Sequence, residues 1–271
     1  MANYIHDISK THWMVSNPAR TTRTGMDGKP FRCPFCPGNE SDTPPELYRV
    51  GEISTWQIRV FANLFPITEI HEVVVHSPDH EKNIEDFFPE HVENIIKTYI
   101  NRFNFLKDKG KVFIFHNYAL ISGASLVHPH SQISVVPSDI PTNTITIQPI
   151  VNIIEQNKDF VSYCPEYSEW CFEVWVKALG QSKFETLNER ELKNFANILQ
   201  SMIKKLKKIH ANNSHYSKKP FGYNFYIQPY GDWFLRIIPR FMERAGFELS
   251  TGIMVNSVEA KKASEELKNT L

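Results

Sequence analysis

Residues 72–87 read EVVVHSPDHEKNIEDF, and residues 173–187 read EVWVKALGQSKFETL. Each stretch opens on an apolar, largely β-branched run and leads into a longer segment with apolar residues at helical spacing. After the first, Val92, Ile95, Ile96, Tyr99, Phe103 and Leu106 mark the buried face of a helix over 89–106. After the second, Leu192, Phe195, Ala196, Leu199, Met202, Ile203, Leu206 and Ile209 do the same, behind Asn188 as N-cap with Glu191 three residues on. Two strand-like runs follow each helix, at 111–115 and 130–136 in the first copy and at 223–227 and 233–238 in the second. HPHSQISVVP at 128–137 then falls opposite DWFLRIIPRF at 232–241. This pattern predicts an internal duplication of a sheet-plus-helix unit with the two sheets fused. The polar residues of the first copy are replaced in the second: His128 by Asp232, His130 by Phe234 and Gln132 by Arg236. The chemistry is therefore expected in the first half.

Outward from these repeats the reading is plainer. Residues 50–61, 72–76 and 170–176 read as further strands, and 258–267 as a final helix; residues 1–50 are rich in turn formers and proline. The chain has 271 residues, 41% hydrophobic and 22% charged, so a sizeable core is expected. Lysine plus arginine equals aspartate plus glutamate at 30 each, which argues against a nucleic-acid polyanion as general partner and makes any phosphate binding local. MANYIHDISKTHWMV at the N-terminus lacks a basic region followed by an apolar run, and no apolar stretch reaches membrane-spanning length. A cytoplasmic protein with no membrane partner is expected, with its four cysteines reduced.

Two constellations carry chemistry. Cys33-Pro-Phe-Cys36 offers two thiolates from one tight turn, which can bite a metal ion; a redox pair or two incidental buried cysteines are the other readings of a lone CxxC. Further ligands must come from elsewhere, with histidines the obvious supply. Cys164 and Cys171 read as ordinary buried residues. The second constellation is His128-Pro-His130-Ser-Gln132, where strand alternation would line up three polar side chains on one face. Such a row is costly to bury without partners. The preceding Gly123-Ala-Ser125 loop can bring backbone N–H groups close to a phosphate. The bland alternative is a polar surface face. His71, His76, His91 and His116 read as structural histidines, Trp170, Trp175 and Trp233 as core, and Lys204, Lys205, Lys207 and Lys208 as the solvated side of a helix.

Cys33 to Glu40 (CPFCPGNE), Ser77-Pro-Asp-His80 and Gly123 to Gln132 (GASLVHPHSQ) together resemble the signature blocks of galactose-1-phosphate uridylyltransferases, members of the histidine-triad superfamily. Arg20-Thr-Thr-Arg23 and Val60-Phe-Ala-Asn63 fit that family's nucleotide-contact blocks. The tail, Arg244-Ala-Gly-Phe-Glu-Leu-Ser-Thr-Gly252, resembles the branch containing ADP-glucose phosphorylases. The resemblance implies an α+β fold of two histidine-triad-like halves, 1–140 carrying the chemistry and 141–271 degenerate, joined in a mostly antiparallel sheet flanked by helices. It implies one zinc per chain on Cys33, Cys36, His80 and His128. It implies that His130 attacks the α-phosphorus of a nucleoside diphosphate sugar, forming a nucleotidyl-histidine, and that a sugar phosphate or inorganic phosphate then accepts the nucleotide. A neutral His130 needs its far nitrogen tethered, and a nearby backbone carbonyl can do that. Gln132 would hold a non-bridging oxygen, Ser125 would assist at the phosphate, and Arg20, Arg23, Asn63, Asn117, Gly123, Phe247 and Glu248 would contact substrate. Family members are commonly dimers with a shared site. Uridylyl transfer between UDP-glucose and a hexose 1-phosphate is the first expectation. ADP-sugar or dinucleoside polyphosphate phosphorolysis is the second, favoured by the tail, and a catalytically weak nucleotide-binding protein is the reading of another class. Two departures stand out: Ala119 replaces a family glycine, and Gln228 with Asp232-Trp-Phe234 replaces the histidines of a second metal site.

Overall fold

A computed structural model describes residues 2–18, 20 and 32–270. Strands β1 (Asn3–His6) and β2 (Trp13–Ser16) form a separate hairpin. The rest is built on one sheet from β3 (Glu46–Gly51), β4 (Trp56–Ala62), β5 (Ile70–Val75), β6 (Lys111–Tyr118), β7 (His130–Val136), β8 (Ile153–Gln156), β9 (Phe160–Tyr163), β10 (Val174–Ala178), β11 (Tyr223–Gln228) and β12 (Phe234–Pro239). Its ten strands run in the order β3-β4-β5-β7-β6-β11-β12-β10-β9-β8, every pair antiparallel. Read inward from its two edges, this order is the same twice, and the two runs meet where β6 pairs with β11.

Helices α1 (Pro89–Leu106) and α2 (Glu189–Asn212) cover one face. The α2 start is the expected one: Asn188 accepts from the Glu191 amide and Glu191 returns the bond to the Asn188 amide. Val74, Ile114, Ile133 and Val135 of the first half share one core with Val176, Ile227, Leu235 and Ile237 of the second, under both helices. Short α3 (Gly246–Thr251) and α4 (Ala260–Asn269) finish the chain. Among the described residues no helix is long and apolar enough to cross a membrane.

Several sequence expectations are corrected. The run 50–61 is a hairpin and not one strand: Gly51 has φ of +91° and the Thr55 amide closes a turn on the Glu52 carbonyl. The strand expected at 170–176 starts only at Val174, because Phe172 has φ of +58°. Strands β1, β2, β8 and β9 and helix α3 were not anticipated. The repeat alignment over the EVVV and EVWV runs is one residue out. Val73 pairs with Gln132 and Trp175 pairs with Arg236, so Val73 corresponds to Trp175, and Glu72 to Val174. The faces agree: Glu72 lies under the helices, bonded to Arg102 of α1 at 2.7 and 2.8 Å, whereas Glu173 bonds Arg236 on the opposite face. A slip of one place exchanges the two faces of a strand. Lys205 and Lys207 are also partnered, Lys205 by the carbonyls of Leu267 and Thr270 and Lys207 by the buried Glu85 at 3.0 Å.

Candidate active site

The sheet face away from the helices carries the site. Strand alternation turns Ser131, Ile133 and Val135 of β7 under the helices and leaves His130 and Gln132 on the open face. Both form the wall of a cavity of about 290 Å³ that also takes in Asn63, Leu64 and Phe65, Ser125 and Leu126, and Phe35, Phe61 and Val73. His128 departs from expectation. It precedes the strand and is not part of that row, because Pro129 stands between it and the start of the ladder. Its ring turns away to the cysteines.

There four side chains converge. The ligand atoms of Cys33, Cys36, His80 and His128 all lie within 4.8 Å of one another. His128 Nδ1 is 3.7 Å from Cys33 Sγ and 3.6 Å from Cys36 Sγ, and His80 Nδ1 is 3.2 Å from Cys36 Sγ. A tetrahedral zinc with ordinary Zn–S and Zn–N bonds has S···N edges of about 3.6 Å. His128 Nε2 donates to the Ser77 carbonyl at 2.8 Å, which fixes the tautomer and leaves Nδ1 as the ligating nitrogen. Burial lowers the His128 pKa to about 4, so the ring is neutral, as a ligand must be. Burial also pushes the Cys33 thiol up to about 11, a thiolate cost that a bound cation would reverse. The donor set and its geometry fit a metal ion.

The same knuckle shapes the wall around His130. Phe35, between the two cysteines, sets its ring edge-on to His130 at 5.2 Å between centroids. His130 Nδ1 lies 2.9 Å from the His128 carbonyl, an atom that can only accept. Nδ1 therefore carries the proton, and Nε2 is the nitrogen with a lone pair. This is the tether the sequence reading asked for. Beneath β7, His116 Nδ1 donates to the His130 carbonyl at 2.9 Å, and Ser131, Tyr99 and His76 bond one another there. Burial first, and the neighbouring His130 second, push His116 down to about 3, so it is a neutral strut.

The remaining predicted residues divide. Asn63 and Ser125 line the cavity. Asn63 Oδ1 accepts from the Phe65 amide and Arg20 donates to the Phe65 carbonyl, so both hold the 63–66 turn. Gly123 takes the left-handed conformation, φ of +82°, that ends the loop before Ser125. Asn117 stands on β6 opposite Asn224 of β11, one residue past the last pair of β6 with β7, His116 with Ser131; it receives a bond from Asn224 at 2.7 Å and is not among the residues that line the cavity. Phe247 and Glu248 are not brought to this cavity within one chain: Phe247 is 53% exposed, and Glu248 caps its own helix through the Ala245 amide. Arg23 lies outside the described residues. Sequence reasoning missed Phe35, Asn224 and the role of His71, whose Nε2 is 3.0 Å from Gln132 Oε1. In the second half Arg236 stands where Gln132 does in the first, bonded to Glu173 and Glu169, and Asp232 is an exposed partner of Lys177.

Ala119 opens the loop to Gly123 with φ of 68° and ψ of 159°, a region essentially reserved for glycine. Relief of about 1–3 kcal/mol of strain should outweigh the extra backbone entropy of glycine, about 0.5–1 kcal/mol. Ala119→Gly is thus expected to stabilise the protein by about 1 kcal/mol in denaturant unfolding; a lower midpoint would show that the loop carries no strain.

Residues 19–138 match a family model described as the N-terminal domain of a domain of unknown function, DUF4931. ADP-glucose phosphorylase of Arabidopsis thaliana is 26% identical, over 93% of this chain and 88% of its own. Galactose-1-phosphate uridylyltransferase of Thermotoga maritima is 24% identical, over 95% of each. Both relatives are of the galactose-1-phosphate uridylyltransferase-like kind that the sequence motifs resemble. The fold is shared: the crystal structure of the Arabidopsis ADP-glucose phosphorylase with bound ADP-glucose superposes with a TM-score of 0.77, covering all of both chains at 24% identity. The two curated relatives are nucleotidyltransferase enzymes.

Proposed function

We propose that this protein moves a nucleoside monophosphate from a nucleotide sugar to a phosphate acceptor through His130. The observation that carries the reading is the His130 ring, tethered at Nδ1 by the His128 carbonyl and set in the cavity wall beside Gln132. In the first step Nε2 bonds to the α-phosphorus while the P–O bond to the sugar 1-phosphate breaks, its electron pair leaving on that oxygen. In the second, a phosphate oxygen of the acceptor forms the new P–O bond and the P–N bond breaks, returning neutral His130. The Gln132 amide meets the charge on the non-bridging oxygens. Zinc bound by Cys33, Cys36, His80 and His128 would hold the knuckle to the His128–Pro129 segment; its contribution is structural.

Two finer readings rest on different observations. Uridylyl transfer to a hexose 1-phosphate is supported by the cysteine and HPH blocks. Phosphorolysis of an ADP-sugar is supported by the tail at 244–252 and by the 26% identical Arabidopsis relative. A dimer with a shared site would bring Phe247 and Glu248 to the cavity of a second copy. Phe247, Leu249, Ile253 and Val255 are 47–76% exposed, an apolar strip that such a contact would cover. The test mixes the protein briefly with UDP-glucose or ADP-glucose without acceptor and measures intact mass, then chases with phosphate or a hexose 1-phosphate. A UMP or AMP adduct discharged by one acceptor is expected. No adduct with any nucleotide sugar would overturn the proposal.

A further inference from the structure

We propose that His71 and Asn224 are positioning residues that turn the N–H ends of the Gln132 and Asn117 side-chain amides toward the phosphoryl group beside His130. This deepens, and rests on, the nucleotidyl-transfer reading. An amide next to a phosphate has one useful end. Its NH2 group attracts the anionic oxygens and its carbonyl oxygen repels them, so an amide free to flip spends time in the wrong orientation.

For Gln132 the flip is set by a relay that begins at the backbone. The Ile67 amide donates to His71 Nδ1 at 2.8 Å. A backbone amide can only donate, so Nδ1 is bare and the neutral ring carries its proton on Nε2. That Nε2 lies 3.0 Å from Gln132 Oε1. The ring N–H therefore occupies the amide oxygen and leaves the NH2 end for the cavity, whose wall Gln132 shares with His130. His71 is only 3% exposed, and its own carbonyl accepts from the Asn63 amide at 2.7 Å. It thus ties the cavity's 63–67 turn to the phosphate-facing amide.

Asn117 is fixed by the same logic from the other half of the chain. Asn224 Nδ2 donates to the Ser122 carbonyl at 2.8 Å and to Asn117 Oδ1 at 2.7 Å. The Ser122 carbonyl can only accept, so the shared Asn224 atom is nitrogen and the Asn117 atom it meets is oxygen. Both amides are held at their oxygens by donors from other strands, His71 of β5 for Gln132 and Asn224 of β11 for Asn117. The half that has lost the catalytic motif so retains a duty at the site.

Double-mutant cycles test this, read both on the rate of adduct formation with UDP-glucose and ADP-glucose and on equilibrium binding of UMP and AMP. His71→Phe is expected to weaken whichever nucleotide is used by about 10- to 100-fold in the native background and by less than about threefold beside Gln132→Ala. His71→Gln, which keeps an N–H donor near the Nε2 position, should recover most of the loss. Asn224→Ala should behave likewise against Asn117→Ala. A merely structural role predicts equal losses in both backgrounds, and that result would overturn the proposal. If the native protein binds a nucleotide but forms no adduct, the transfer reading fails and the positioning roles are judged on the binding cycles. If it binds neither UMP nor AMP, both fail. Should His71→Phe not fold, ¹⁵N spectra of histidine-labelled native protein decide the His71 relay: a proton on Nε2 supports it, and a proton on Nδ1 overturns it.

Discussion

Replacing His130 with asparagine is expected to abolish the nucleotidyl adduct and to lower turnover by about four to six orders of magnitude, the usual cost of deleting a nucleophile. The fold should survive. Asparagine can still donate to the His128 carbonyl as His130 Nδ1 does at 2.9 Å, and the backbone carbonyl that receives His116 is unchanged. Metal content should survive too, because the converging ligand atoms belong to Cys33, Cys36, His80 and His128 and not to His130. The variant is thus expected to combine native thermal unfolding and native metal content with no mass shift in nucleotide sugar. An adduct of undiminished amount on His130→Asn would move the nucleophile elsewhere. Full turnover without any adduct in the native protein would replace the two-step route by a direct displacement.

What the sequence disclosed follows from how local each signal is. Both long helices were legible because a stripe of six apolar positions in α1 and eight in α2 and, for α2, an Asn188–Glu191 capping box are contained within the helix itself. The β7 boundaries were legible for a similar reason, a buried run ending at Pro137. The hairpin at 46–62 was not, because its turn is signalled by little more than Gly51 inside an otherwise strand-like run. Strands β8 and β9 have four residues each, too few for a period to show. The slip between the repeats has a different origin. Matching Glu72 to Glu173 by identity outweighed the face pattern, although one carboxylate pairs Arg102 under the helices and the other Arg236 on the open side. At the site, residue types and spacing exposed the CxxC and HPHSQ blocks, and the family resemblance brought in His80. His71 and Asn224 stayed hidden because their meaning lies in partners 61 and 107 residues away.

Removing the metal ligands is expected to produce a different failure from removing His130. His128→Asn or Cys36→Ser should lose the metal, reduce activity to background and lower stability by about 3–5 kcal/mol. Where metal binding and folding are coupled, binding energy is folding energy, and structural zinc in small domains is worth more than 10 kcal/mol. The smaller figure is expected here because most of the fold does not depend on the knuckle. The large core under α1 and α2 is continuous across both halves. What the knuckle holds is the smaller cluster of Phe35, Trp56, Phe61, Val73 and Val75, with Cys33 and Leu126 packed on it. Loss of metal should therefore loosen this cluster first, and with it the Phe35 contact to His130 and the wall of the cavity. Elemental analysis of the native protein should give one zinc per chain. The variants should keep their helical far-ultraviolet spectrum, show a lower denaturation midpoint, and be cut by protease in the loop around residues 32–44 where the native protein resists. A native preparation that is metal-free, fully stable and protease-resistant in this loop would overturn the zinc assignment, and with it the structural role given to Cys33, Cys36, His80 and His128.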